Sequence, residues 1–292
     1  MQGIKVIILR WYYRIINWWA WRGTAFPGIE TQDLAIDGGQ GKIPARLYRS
    51  SSSGASALLI YFHGGGWVIG DLKTHEPFCK RLVQETGAAV VAIDYRLAPG
   101  HRCPAATLDC IAATRWLAAQ RQELALEGKP VFVAGDSAGG NLAAAVANQA
   151  GEEYQAHLRG QILIYPVTRY YEPATPSYIE NATGYGLTRS LMEWFWDTYL
   201  GTRDAPTGDA AKLSVLQLPG PGTTPALVIT AGLDPLRDEG ADYARGLDHA
   251  GVSCTHELFM KEMHGFVCSE GMTPGHVQAM NLISGWMKQQ CL

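Results

Sequence analysis

Apolar residues recur along this chain in two registers, short runs and longer stretches with a period near 3.6, and the two alternate. Ala57–Phe62, Ala88–Asp94, Pro130–Ala134, Gly160–Tyr165, Pro225–Ala231 and Ser253–Phe259 read as strands, the first of them as a buried central one. Glu76–Thr86, Pro104–Gln120, Ala138 to about Ala150, Asp238–Ala250 and Val277–Gln289 read as helices. This alternation predicts an α/β fold with a mostly parallel sheet and helices on both faces, whose ligand sites collect outside the carboxyl ends of the strands. Ahead of it, Asp33–Asp37 and Ile43–Arg49 form a predicted hairpin around the Gly38-Gly39-Gln40-Gly41 turn. The stretch Arg169–Ala211 breaks the rhythm with Pro173, Pro176 and a helical Leu187–Leu200, which marks an insertion.

The first 22 residues are set apart. At 100° per residue, Ile4, Ile7, Ile8, Trp11, Ile15 and Trp18 share one wide face, while Arg10, Arg14 and Asn17 form a narrow polar stripe. The favoured expectation is a helix that packs over the protein as part of a lid. A helix lying on a membrane surface is the rival, since Lys5, Arg10, Arg14 and Arg22 accompany Trp11, Trp18, Trp19 and Trp21 without one acid. No apolar run is long enough to span a membrane, and no small-residue cleavage site follows one. The expected division is an N-terminal lid region over 1–30, a core over 31–168 and 212–292, and a lid insertion over 169–211.

Composition narrows the function. Across 292 residues, 47% are hydrophobic and 17% charged, which fits a compact chain rather than a disordered one. A net charge of −3 provides no broad basic field, so nucleic acid is not an expected partner. Six cysteines without C-x-x-C pairs or regular spacing suggest neither zinc nor a disulfide framework, and buried thiols are expected.

Three local patterns carry chemistry. Gly135-Asp136-Ser137-Ala138-Gly139 fits G-x-S-x-G between a strand and a helix, where a sharp turn lifts a serine hydroxyl out of the sheet. The bland alternative makes Ser137 a helix cap. His63-Gly64-Gly65-Gly66-Trp67 follows another strand, and its glycines let backbone N–H groups converge on one point, as an oxyanion requires. A phosphate loop would need a G-x-x-x-x-G-K pattern, which is absent. With the N–H of Ala138, such donors are each worth about 2.7–4 kcal/mol to a tetrahedral intermediate. Among eight histidines, His264 follows a strand in Met263-His264-Gly265-Phe266 and is the candidate base; His256 falls inside the strand and His249 at a helix end. Asp234 follows the preceding strand and is the candidate that orients the imidazole, with Asp238 as a rival better suited to a helix first turn. The order Ser, Asp, His is that of α/β-hydrolases.

From His63 to Phe266 the chain resembles the hormone-sensitive-lipase-like, or bacterial family IV, esterases. The resemblance adds Asp94-Tyr95-Arg96-Leu97-Ala98-Pro99, Pro104-Ala105-Ala106, Ile164-Tyr165-Pro166, Leu187–Leu200 and Asp234–Glu239 to the motifs above. It implies an eight-stranded α/β-hydrolase core with a helical lid, hydrolysis of short acyl esters without cofactor or metal, oxyanion amides at Gly65, Gly66 and Ala138, and a loop-shaping part for His63 and Gly64. The family usually has Glu where Gly100 stands and often an acid at Arg169. Trp67, Tyr185, Trp194 and Phe195 are expected to line an apolar substrate pocket. The expected partner is a small-molecule ester, with a deacetylase or amidase on the same triad and a non-catalytic ligand binder as alternatives. A cytoplasmic protein, peripheral membrane contact through residues 1–22 and a homodimer complete the expectations.

Overall fold

The computed structural model describes residues 2–38, 41–149, 158–208, 224–269 and 273–291. Gly39 and Gln40 of the predicted turn, the helix end at Ala150 and positions 209–211 of the insertion lie outside the described residues.

Eight strands form one sheet: β1 (Ile29–Asp37), β2 (Lys42–Ser50), β3 (Leu58–Phe62), β4 (Ala89–Ile93), β5 (Val131–Asp136), β6 (Leu158–Ile164), β7 (Ala226–Leu233) and β8 (Cys254–Met263). Their order is β1-β2-β4-β3-β5-β6-β7-β8, and only the β1–β2 and β2–β4 pairings are antiparallel. The chain leaves β3 toward one edge and returns at β5 to fill the other. The crevice between the ends of β3 and β5 is therefore the topological switch point, where sites form in such sheets.

Among the described residues, eight α-helices connect or flank the strands: α1 (Gln2–Ala20), α2 (Leu72–Thr86), α3 (Ala105–Ala119), α4 (Ala138–Gln149), α5 (Pro176–Glu180), α6 (Arg189–Leu200), α7 (Arg237–His249) and α8 (Gly275–Gln290). Alternate strand residues feed opposite cores. Leu58, Ile60 and Phe62 pack with residues of α3, α4 and α7, while Leu59 and Tyr61 pack with residues of α2 and α8. Burial on both faces explains why β3, β4 and β5 read as unbroken runs rather than as alternations. The thiols of Cys79, Cys110 and Cys268 are buried.

α1 forms where the periodicity places it but presents the reverse face. The polar stripe turns inward: the Arg10 guanidinium donates to the Val68 carbonyl at 2.9 and 3.0 Å, and Arg14 Nε donates to Asp71 Oδ2 at 2.9 Å. Val6 is buried beside them, while Ile4, Ile7, Ile8, Trp11, Ile15 and Trp18 stay exposed. Hydrophobic period identifies two faces; the carbonyls and carboxylate on the far side decide which one docks. Past the helix end, Trp21 is buried and its Nε1 donates to the Cys268 carbonyl at 2.9 Å.

The chain just after β6 is tied to α7 by a buried acid. Glu239, in the first turn of α7, accepts from the Thr168 amide at 2.7 Å, and the Thr168 hydroxyl donates to the Glu239 carbonyl at 2.8 Å. Burial pushes the Glu239 carboxyl up from 4.5 to about 8. Between those two pH values the folded protein keeps a proton that the unfolded chain has released, so stability falls as pH rises, by about 1.4 kcal/mol per pH unit from this group. Glu239→Gln keeps an acceptor for Thr168 and removes that slope. Urea unfolding from pH 5 to pH 8 should show the variant gaining steadily on the wild type; a constant difference across the range would contradict a protonated Glu239.

Candidate active site

Parallel pairing brings the strand ends out flush, and register decides which residues meet above them. Phe62 of β3 pairs with Gly135 of β5, Asp136 pairs with Ile164 of β6, and Leu233 of β7 pairs with Met263 of β8. The next residue along each strand therefore emerges beside its neighbour: His63 by Asp136, Ser137 by Tyr165, and Asp234 by His264.

Ser137 sits between β5 and α4 with φ of 56°, a left-handed conformation that costs a non-glycine residue about 1–2 kcal/mol. Its amide donates to the Ile164 carbonyl at 2.8 Å and its carbonyl accepts from Asn141 and Val167, which hold the turn from both sides. The flanking glycines serve close approach. A Cβ on Gly135 would overlap the Gly139 carbonyl, and one on Gly139 would overlap the Phe62 carbonyl. The sharp backbone conformation falls on the serine itself.

Asp234 is fully buried. Its Oδ1 accepts from the Leu236 amide at 2.9 Å, and Oδ2 lies 2.6 Å from His264 Nδ1. This bond assigns the Nδ1–H tautomer to His264 and leaves Nε2 to accept a proton. The Tyr165 ring packs against the imidazole at 4.5 Å between centroids. The Ser137 hydroxyl makes no hydrogen bond among the described residues; links of this kind commonly close only around bound substrate. Asp238 is engaged elsewhere, accepting from the Ser177 amide at 2.7 Å and from Arg237 Nε at 2.8 Å. His256 faces Thr230 Oγ1 at 2.8 Å within β8, and His249 ends α7.

The glycine loop follows β3. Gly65 has φ of 117° and Gly66 of 58°, and no acceptor among the described residues takes either N–H. Ala138 opens α4, so its amide belongs to a helix first turn that has no internal acceptors. Tyr95 Oη donates to the His63 carbonyl at 2.6 Å, and the Ala98 amide donates to the Trp67 carbonyl at 2.9 Å. The segment Asp94–Pro99 thus clamps the loop from behind. Arg96 is in turn fixed on Asp109 by contacts of 2.8–3.1 Å.

His63 is buried, with Nδ1 2.8 Å from the Gly64 carbonyl and its ring stacked 4.3 Å from Tyr95. Burial, with His75 beside it, pushes its pKa down to about 4, so it is neutral near pH 7. The residue that sequence reasoning missed is Asp136. Burial raises its pKa, but the nearby His75 imidazole at 3.6 Å and the Tyr61 hydroxyl reverse that and hold it below the usual carboxylate range. Its Oδ1 also accepts from the Gly64 amide at 2.8 Å. One buried carboxylate thereby ties the glycine loop to the residue before Ser137. Nothing marked it in the sequence beyond its place inside G-x-S-x-G.

The four expected pocket residues differ in place. Phe195 is buried against Gly66, where any Cβ would overlap its ring. Trp194 is half-buried beneath Lys5, whose Nζ is 4.3 Å from the ring centroid, and Tyr185 is half-buried. Trp67 is a correction. It is wholly buried, stacked 4.4 Å from Tyr199 and tilted against Trp196 at 4.7 Å, because the left-handed turn at Gly66 and Trp67 folds the indole into the core. An open groove lined by Trp11, Trp18, Lys73 and Pro77 lies between α1 and α2 and contains none of these residues.

Comparison with known proteins gives the family. Residues 59–268 match the α/β-hydrolase fold family. A carboxylic ester hydrolase, LipN, of Mycobacterium tuberculosis is 40% identical over 255 residues, which is 83% of this chain and 67% of LipN. An ethyl acetate hydrolase of Pseudomonas putida is 39% identical over 229 residues, covering 77% and 71%. Among solved structures, the thermostable carboxylesterase EstE1 from a metagenomic library superposes with a TM-score of 0.90 at 33% identity over 98% of both chains. An esterase of Pyrobaculum calidifontis gives 0.90 at 35% identity over 97% of this chain and 92% of its own. The chain belongs to the hormone-sensitive-lipase-like, family IV carboxylesterases of the α/β-hydrolase fold.

Proposed function

We propose that this enzyme hydrolyses short- to medium-chain acyl esters through an acyl-enzyme on Ser137. The observation that carries the reading is the 2.6 Å contact between buried Asp234 and His264, made at the same sheet edge as the strained Ser137 turn. Ser137 Oγ bonds to the ester carbonyl carbon as its proton passes to His264 Nε2. The carbonyl oxygen takes the negative charge, facing the N–H groups of Gly65, Gly66 and Ala138. The carbon–alkoxy bond then breaks, and the leaving oxygen receives the proton from His264. Water repeats the sequence, giving its proton to Nε2 and its oxygen to the acyl carbon, and the acid departs as Ser137 regains its proton. Asp234 holds the tautomer throughout.

Phe195 packed on Gly66 limits the room beside the oxyanion amides, which favours small acyl groups. The Pseudomonas putida relative, named for ethyl acetate, supports the same preference. In this reading the enzyme also meets a membrane surface through residues 1–22, because α1 turns its large apolar side chains outward.

Hydrolysis of p-nitrophenyl acetate tests the roles. Ser137→Ala should lower kcat by roughly 10^6-fold, and Asp234→Asn by roughly 10^4-fold through loss of the correct tautomer. Wild-type turnover in a folded Ser137→Ala preparation would overturn the nucleophile. Gly66→Ala forces a Cβ into the Phe195 ring and shifts the amide, so kcat should fall by on the order of 10^2–10^3 with little change in KM.

A further inference from the structure

α1 is inverted relative to an ordinary surface helix. Ile4, Ile8, Trp11 and Trp18 are 60–66% exposed, and Ile7 and Trp19 extend the same surface. A contiguous apolar strip of this kind marks an interaction surface on a soluble protein. The helix cannot roll to hide it without breaking the Arg10 bonds to the Val68 carbonyl and the Arg14–Asp71 pair. Trp21, anchored on the Cys268 carbonyl, fixes the far end. The outward strip is a held conformation.

Charge identifies what covers it. The sequence has no acid before Glu30, whereas Lys5 lies over the Trp194 ring, Arg22 over the Trp19 ring and Lys73 beside Trp11 and Trp18 in the groove next to α2. An apolar strip with indoles in it and cations along its margins has the chemistry of a helix that lies in a lipid interface and attracts anionic headgroups. A second copy fits less well, because the acid beside the strip, Asp71, is already paired with Arg14 and is not open to the cations of a partner helix. Among the described residues no helix is long and apolar enough to cross a membrane.

The strip is also close to the chemistry. Arg10 binds the carbonyl two residues past Gly66, and Lys5 covers Trp194, whose neighbour Phe195 rests on Gly66. The glycine loop is thus about one helix diameter, roughly 10 Å, from the outward face. We infer that the outer face of α1 seats this enzyme on an anionic lipid surface and brings the mouth of the Ser137 site to esters dissolved there. The second half rests on the esterase reading; the first does not.

Flotation of full-length Ser137→Ala protein with lipid vesicles tests the docking without turnover. Binding is expected to vesicles in which about one-third of the phosphatidylcholine is replaced by phosphatidylglycerol, and to weaken as salt is added. Trp11→Glu combined with Trp18→Glu should reduce that binding tenfold or more while leaving circular dichroism unchanged. In the active enzyme the same pair should slow hydrolysis of a vesicle-dissolved medium-chain p-nitrophenyl ester and spare soluble p-nitrophenyl acetate. Absence of binding to either vesicle, or equal binding to phosphatidylcholine alone, overturns the anionic-surface assignment. So does a dimer in sedimentation that the double variant dissolves, which would make the strip a self-interface. Failure on soluble acetate by the wild type would count against the esterase reading alone.

Discussion

Everything at this site depends on how closely α4 can lie against the end of β3. Gly139 touches the Phe62 carbonyl and Gly135 touches the Gly139 carbonyl, with no room at either position for a single methyl group. That approach forces the chain to reverse within one residue, and the residue is Ser137, held left-handed by amide and carbonyl bonds to its neighbours. The strain, about 1–2 kcal/mol, is small beside the burial of two sheet faces that surround it. Relax the approach, and both the hydroxyl and the Ala138 amide move away from the glycine loop.

The same economy of placement governs the electrostatics. The site has two buried carboxylates with different work. Asp234 faces His264 and sets its tautomer, whereas Asp136 lies behind the serine, accepting from Gly64 and Tyr61 and fixing the loop. A buried charge is tolerated only where donors surround it. Asp136 meets that condition with an amide, a hydroxyl and an imidazole. His63, with one strong contact and a depressed pKa, satisfies burial the other way, by staying neutral.

Much of this was legible in the sequence, for physical reasons that differ between elements. That Ser137, Asp234 and His264 follow strands was readable because buried strands announce themselves as apolar runs. β8 was read as ending at Phe259 but continues to Met263, since it is an edge strand whose Lys261 and Glu262 look like loop. α2 begins four residues before its predicted start, and its reciprocal Asp71–Thr74 cap was a signal that could have been read. The inward face of α1 was not legible, because it is chosen by the Val68 carbonyl and Asp71, which no local pattern pairs with Arg10 and Arg14. The burial of Trp67 was hidden for a similar reason, as it depends on aromatic partners more than a hundred residues away.

Two sets of contacts grip opposite sides of the candidate site. Beside Asp234, the Ser177 hydroxyl donates to the Pro235 carbonyl at 2.6 Å, and Asn181 Nδ2 donates to the Asp234 carbonyl at 3.1 Å, so α5 and the residue after it hold the loop that carries Asp234. On the oxyanion side, α1 holds the Val68 carbonyl and Phe195 of α6 rests on Gly66. Residues outside the sheet therefore bear on the alignment of the candidate catalytic groups. Changes in α5 should register first in the Asp234–His264 half, and changes in α1 or α6 in the oxyanion half. The hydrogen bonds that hold α1 and α5 in place are thus the same ones that brace the loops carrying the candidate site.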